Sequence, residues 1–224
     1  MGLNKSKGNM YPWVDYTWNP VKGCRHDCMY CYLKVHKDFD FTPRLDEKEL
    51  FTYLGKHNVI FVGSACDLFG TWVPAKWQEL VFNVCRKHDN HYLFQTKDPF
   101  QFHRMLTAMP NKTILGTTIE TNRSTEGISK APEPRGRFEA MKAFAQRERM
   151  ISIEPIMDFD LEVMADWIGA IKPSFISIGA DSKGHKLPEP EPAKIADLIY
   201  AIQAMGIKVF IKKNLSRLTA GGIK

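Results

Sequence analysis

With 224 residues, 44% of them hydrophobic, the chain has enough apolar material for the core of one ordinary globular domain spanning 1–224. No stretch approaches the roughly 20 uninterrupted apolar residues of a membrane helix, and the opening MGLNKSKGNM lacks the apolar block of a secretory signal, which sets a cytoplasmic, membrane-free expectation. The formal charge of +6 favours a polyanionic partner only mildly, because 31 basic residues are interleaved with 25 acidic ones and form no long run.

Short β-branched or aromatic runs alternate with segments of helical periodicity, the pattern of β/α units around a parallel sheet. The first run, DYTWNPV from Asp15, leads into a cysteine-rich loop, 23–32. VIFVG from Val59 follows, then a helix predicted over 74–88 with Trp77, Leu80, Val81, Val84 and Cys85 on one stripe, which makes Cys85 plain core. HYLFQT from His91 and TILGTTIE from Thr113 are the third and fourth strands. The stretch 121–137, with Pro132, Pro134 and several charges, reads as a long loop, either functional or merely connective. MISIEP from Met150, a helix over 160–171 with Leu161, Met164, Ala165 and Ile168 on one face, and SFISIGAD from Ser174 come next. LPEPEP from Leu187 runs extended into a helix over 192–205 with Ile195, Leu198, Ile199, Ile202 and Met205 inward, and KVFIKK from Lys208 makes a seventh strand.

In a parallel β/α barrel or half-barrel, chemistry gathers where the strands exit at their carboxyl ends. Those exits carry the cysteine loop, then Ser64, Cys66 and Asp67, then Thr96 and Lys97, then Thr118 and Glu120, then Glu154, Asp181, and finally Lys212 and Lys213. Any one of these is explained as a solvated loop residue. An ionisable group at nearly every exit points to one polar site.

Five cysteines is an odd number, and three of them fall within GCRHDCMYCY as Cys-x3-Cys-x2-Cys at Cys24, Cys28 and Cys31. This argues against a disulfide framework and for a metal centre in a reducing compartment. Three thiolates hold three irons of a cubane and leave the fourth open to a substrate or cofactor. A structural zinc site wants four ligands, which His26 or His36 would have to complete; a catalytic thiol lacks its partner histidine.

The loop resembles the cluster-binding motif of the radical S-adenosylmethionine superfamily. The order WNPVKGCRHDCMYCY, GSACDLF, QTKDP, GTTIET and SIEPIMDF is similar, over nearly the whole chain, to a compact family found largely in bacteriophages and bacteria. The cysteine loop, the Ser/Cys-Asp exit and Thr96–Lys97 are more distantly similar to spore photoproduct lyase, which repairs thymine dimers in DNA. The resemblance implies a partial (β/α)6 TIM-type barrel of parallel strands, with KVFIKK as a possible seventh, and a [4Fe-4S] cluster on Cys24, Cys28 and Cys31. Its open iron would be chelated by S-adenosylmethionine, whose reductive cleavage yields a 5'-deoxyadenosyl radical that abstracts hydrogen.

It also implies that Tyr30 offers its backbone to the adenine and that Ser64 and Cys66 meet the methionine amino group, although the usual Gly-Gly-Glu is replaced by Gly63 to Asp67. Lys97 falls where the lyase-like members hold the methionine carboxylate. Thr118 and Glu120, two apart on one strand face, suit ribose hydroxyls. Glu154 and Asp181 are candidates for cofactor, substrate or proton, or else caps of their loops. Cys66 is a candidate hydrogen-atom donor; if Asp67 aligns with the aspartate of the lyase, however, Cys66 falls on the cofactor-contacting serine and Ser64 on the donor.

The substrate class this points to is a nucleoside, nucleotide or nucleic-acid base, modified, rearranged or repaired, with flavodoxin or ferredoxin as the external one-electron donor and a monomer as the working state. The alternatives are a peptide-modifying radical enzyme, for which Cys66 and Cys85 are too few to build a second cluster, and a non-enzymatic zinc-stabilised binding module.

Overall fold

The structure is a computed structural model that describes residues 2–219. Seven parallel strands follow one another in sequence order across one sheet: β2 (Tyr16–Trp18), β5 (Val59–Val62), β6 (His91–Thr96), β7 (Thr113–Thr118), β8 (Glu148–Ile153), β9 (Phe175–Ile178) and β10 (Lys208–Ile211). A short antiparallel strand, β1 (Asn4–Lys5), edges β2 and brings the sheet to eight strands. A small ribbon of β3 (Val21–Lys22) and β4 (Arg44–Leu45) frames the cysteine loop. This is an α/β fold of the partial TIM-barrel type, and the seventh strand that the sequence left optional is present. The first strand is shorter than DYTWNPV suggests, because Pro20 has no N–H to donate to a ladder.

Side-chain alternation along the strands separates two cores. Outward residues such as Tyr92, Phe94, Leu115, Ile151 and Ile176 pack against the helices α1 (Ala75–Arg86), α2 (Phe102–Met105), α3 (Pro134–Lys142), α4 (Leu161–Ile171) and α5 (Pro192–Ala204). Inward residues Leu93, Ile114 and Met150 form a second cluster, closed by Tyr11 and Val14 of the segment before β2. Further along the same inward rows come Gln95, Thr118 and Ser152, so the barrel interior grades from apolar at its floor to polar at its carboxyl mouth.

Three helix expectations shift in detail. In α1 the buried face is Gln78, Val81, Phe82, Val84 and Cys85, while Trp77 and Leu80 are only half-buried, because Gln78 turns inward to donate to the Leu68 carbonyl at 2.8 Å. Met205 caps α5 and is 44% exposed instead of joining the stripe. The stretch 121–137 is not all loop: Pro134, whose missing N–H costs nothing in the first turn, starts α3. Among the described residues, no helix is long and apolar enough to cross a membrane.

Candidate active site

The carboxyl mouth of the barrel opens into a cavity of about 540 Å³. Its lining includes Cys24, Cys28 and Cys31, Tyr30, Ser64, Cys66, Asp67, Thr96, Lys97, Thr118, Glu154, Asp181 and Lys212. Strand exits scattered over almost the whole sequence therefore do meet at one site. Two expected members are absent from its lining, Glu120 and Lys213.

The cysteine loop is held from both sides. Gly23 has φ +87°, and a β-carbon there would lie 2.3 Å from the Thr42 carbonyl oxygen, so only glycine lets the chain enter the loop beside β4. Cys24 N–H donates to Phe41 O at 3.1 Å. On the other side, the connection 121–133 lies as a strap across the loop: Met29 N–H donates to Ile128 O at 2.8 Å, Lys130 N–H to His26 O at 2.7 Å, and Ser129 Oγ is 3.1 Å from Cys28 Sγ. With Thr125 fully buried, this long connection is packed structure.

The thiols are free of disulfides. Burial, Asp67 and the neighbouring thiols push the Cys24 thiol up to about 12, and burial raises Cys31 as well. Crowded, desolvated thiols of this kind favour a bound cation, which deprotonates its thiol ligands. Among the described residues no three His, Cys, Asp or Glu side chains are gathered as around a single ion. A cubane puts each thiolate on a separate corner, so its ligands stand further apart, and three thiols around one cavity fit it. His26 Nε2 is 2.7 Å from Asp67 Oδ2 with its ring edge-on to Trp72, and its Nδ1 is buried without a partner, while His36 is exposed.

Asp67 organises the next exit. Beyond His26 it accepts from the backbone N–H of Lys97 at 2.8 Å and of Phe69 at 3.0 Å; although burial opposes it, the His26 contact holds its carboxyl below the usual range. The adjoining turn is fixed by Asn19, whose Oδ1 accepts from Ala65 N–H at 2.8 Å and lies 3.2 Å from Ser64 Oγ. Cys66 pairs by a backbone bridge with Gly23, and burial, reinforced by Asp67, pushes its thiol up.

Glu120 is wholly buried. It accepts from Lys97 Nζ at 2.5 Å, from Arg137 at 2.7 Å and from the Tyr30 hydroxyl. Burial opposes ionisation, but Arg137 and Lys97 outweigh it and hold the carboxyl at about 2. Glu120, expected at ribose hydroxyls, thus stands outside the cavity lining, with its oxygens on Lys97, Arg137 and Tyr30. Lys97 still lines the cavity, and its ammonium, with three donors, keeps capacity for a further acceptor.

Across the cavity, Glu154 accepts from Lys212 Nζ at 2.6 Å, Asn9 Nδ2 at 2.9 Å and Asn214 Nδ2 at 3.0 Å. A β-carbon on Gly179 would sit 2.7 Å from Glu154 Oε1, so the cluster needs glycine there. Lys212 lies over the Tyr11 ring at 4.7 Å, and the Tyr11 hydroxyl is 2.8 Å from Gln95 Oε1 and 2.9 Å from Ser152 Oγ. Asp181 accepts from the backbone N–H of Lys183 at 3.0 Å and pairs with His185 Nδ1 at 2.7 Å; these contacts hold its carboxyl low against its burial. Asp181 is thus a loop cap that also edges the cavity. Asn9, Tyr11 and Arg137 escape the sequence reading because they reach the site from outside the strand exits, and Asn214, two residues past Lys212, because a lone amide carries no motif.

A family described as Protein of unknown function (DUF5131) matches residues 9–214. No curated protein sequence matches the chain. Among solved structures, a spore photoproduct lyase complexed with dinucleoside spore photoproduct shares the fold with TM-score 0.66 at 14% identity, covering 92% of this chain and 78% of its own. A mutant of spore photoproduct lyase with bound AdoMet and dinucleoside spore photoproduct gives 0.66 at 13%, again covering 92% and 78%. Streptococcus suis SuiB bound to S-adenosylmethionine gives 0.61 at 12%, covering 93% of this chain and 53% of that one.

Proposed function

This chain belongs to the DUF5131 family, and we propose that it is a radical S-adenosylmethionine enzyme, one working unit over 1–224, acting on a nucleoside, nucleotide or nucleic-acid base. The observation that carries the reading is the convergence of Cys24, Cys28 and Cys31 with Tyr30, Ser64, Cys66, Lys97 and Thr118 around one cavity at the strand exits. The barrel is shared with structures that hold S-adenosylmethionine, one of them beside a dinucleoside.

The three thiols would hold a [4Fe-4S] cluster, and the residues from Tyr30 to Thr118 would hold S-adenosylmethionine. Bound together and reduced by one electron from a flavodoxin or ferredoxin, they supply a carbon radical able to abstract hydrogen from substrate. The protein's part is positioning and shielding. Lys97, steadied by Glu120, presents an ammonium to a carboxylate. Thr118 Oγ1, accepting from Gln95 Nε2 at 3.0 Å, keeps its own O–H for a ligand hydroxyl. Tyr11 closes the floor, so a reactive carbon centre in the cavity is kept from water on that side. Glu154, held by one lysine and two amides, is placed to bind substrate or exchange a proton with it, and Cys66 offers a protonated thiol at the cavity wall.

Anaerobic reconstitution with iron and sulfide, reduction with S-adenosylmethionine and chromatography for 5'-deoxyadenosine test this. Wild type should form 5'-deoxyadenosine and Cys28→Ala none; stoichiometric zinc with no cofactor cleavage would overturn the reading in favour of a structural metal module.

A further inference from the structure

Of the lysines that line the cavity, Lys212 is paired with Glu154 and Lys97 with Glu120. Two others are not. Lys7, from the segment before β2, and Lys183, from the loop after β9, both line the cavity and make no ion pair or side-chain hydrogen bond among the described residues. Both are exposed, and each lies within two residues of the contact between Asn9 Nδ2 and Ser182 Oγ at 3.4 Å.

Ser182 sharpens the chemistry. Its Oγ accepts from Asn214 Nδ2 at 2.9 Å and from Asn9 Nδ2 at 3.4 Å, which fills its acceptor capacity and leaves its O–H to donate. Two ammonium groups and a hydroxyl with only its proton unspent make a wall of donors. Such a wall suits a multivalent oxyanion, and a phosphate, with several acceptor oxygens, uses it best. It stands with the exits of β8 to β10, across the sheet order from the cysteine loop after β2, so it is distinct from the surroundings of Lys97.

We propose that Lys7, Lys183 and Ser182 form a phosphate subsite, and that the substrate is a phosphorylated nucleoside. This rests on the function proposed above and narrows it from nucleoside to nucleotide. The phosphate belongs either to a free nucleotide or to a polynucleotide backbone, whose recognition chemistry here is the same.

The test is calorimetric titration of the reconstituted protein, kept oxidised so that no turnover occurs and saturated with S-adenosylmethionine. The probes are the four 2'-deoxynucleosides, their 5'-monophosphates and a short single-stranded oligodeoxynucleotide. At least one monophosphate, or the oligonucleotide, should bind about tenfold or more tightly than its parent nucleoside, and Lys7→Gln/Lys183→Gln should erase that difference while leaving nucleoside affinity unchanged. A gain for the monophosphate assigns a free nucleotide, and a gain for the oligonucleotide alone assigns a polynucleotide. Equal affinity for nucleoside and phosphorylated forms, no binding by any probe, or a phosphate preference that survives the double substitution overturns the subsite. Formation of 5'-deoxyadenosine is scored separately, so loss of the subsite and loss of the radical reading give different results.

Discussion

Glu120 and Glu154 stand at the exits of neighbouring strands, each paired with a lysine, and the structure uses them in opposite ways. Glu120 is fully buried and outside the cavity lining; Arg137, Lys97 and Tyr30 spend both of its oxygens. Glu154 faces the cavity, held by Lys212 and by amides of Asn9 and Asn214 on segments far away in the chain. The difference lies in what surrounds them: α3 brings Arg137 over β7, whereas Glu154 meets Lys212, Asn9 and Asn214 at the edge of the cavity. A carboxylate at a strand exit is therefore a clasp or a working group according to which element covers it.

The contrast makes graded predictions. Glu120→Ala strands the buried Arg137 and should cost about 3–5 kcal/mol of unfolding free energy in denaturant titration; a loss under about 1 kcal/mol would make Glu120 dispensable as a clasp. Acid should act through the same group. Its carboxyl sits at about 2 in the folded protein against an ordinary 4.5, so its stabilisation of about 3 kcal/mol is complete above pH 4.5 and is lost as pH falls towards 2. That acid-labile part should disappear in Glu120→Gln. Glu154→Gln should leave thermal unfolding within a few degrees of wild type and lower substrate-dependent turnover by about 100-fold. If it instead unfolds as Glu120→Ala does, the two glutamates are alike and the comparison fails. The smallest effect is expected of Tyr30→Phe, which removes one of the donors to Glu120 and should cost about 1 kcal/mol, read from the same denaturant titration.

The alternation of β-branched runs with helical periodicity is enough to read the parallel sheet, because a strand buried on both faces carries few charged side chains, as TILGTT in β7 and MISI in β8 show. The cysteine loop is legible from its Cys-x3-Cys-x2-Cys spacing, and most exit residues from their place just after an apolar run, although Glu120 and Lys213 share that place and do not line the cavity. What was hidden depends on contacts across the chain. Arg137 lies in a helix whose sequence, PRGRF, reads as exposed, and its burial follows only from Glu120 on a different element. The strap over the cysteine loop is made by backbone hydrogen bonds, which any sequence can offer. Asn9 and Tyr11 precede the first barrel strand and carry no periodicity that would send them inside.

That inward segment has a consequence for how the molecule assembles. Tyr11 reaches Ser152 over a sequence separation of 141, and Asn9 reaches Glu154 over 145, so the inner core is sealed by contacts with high loop-closure entropy. The outer layer, built from adjacent strand–helix units, needs no such closure. Folding should therefore be biphasic, with the helix-covered face consolidating first and the barrel interior sealing late, when the segment around Tyr11 docks.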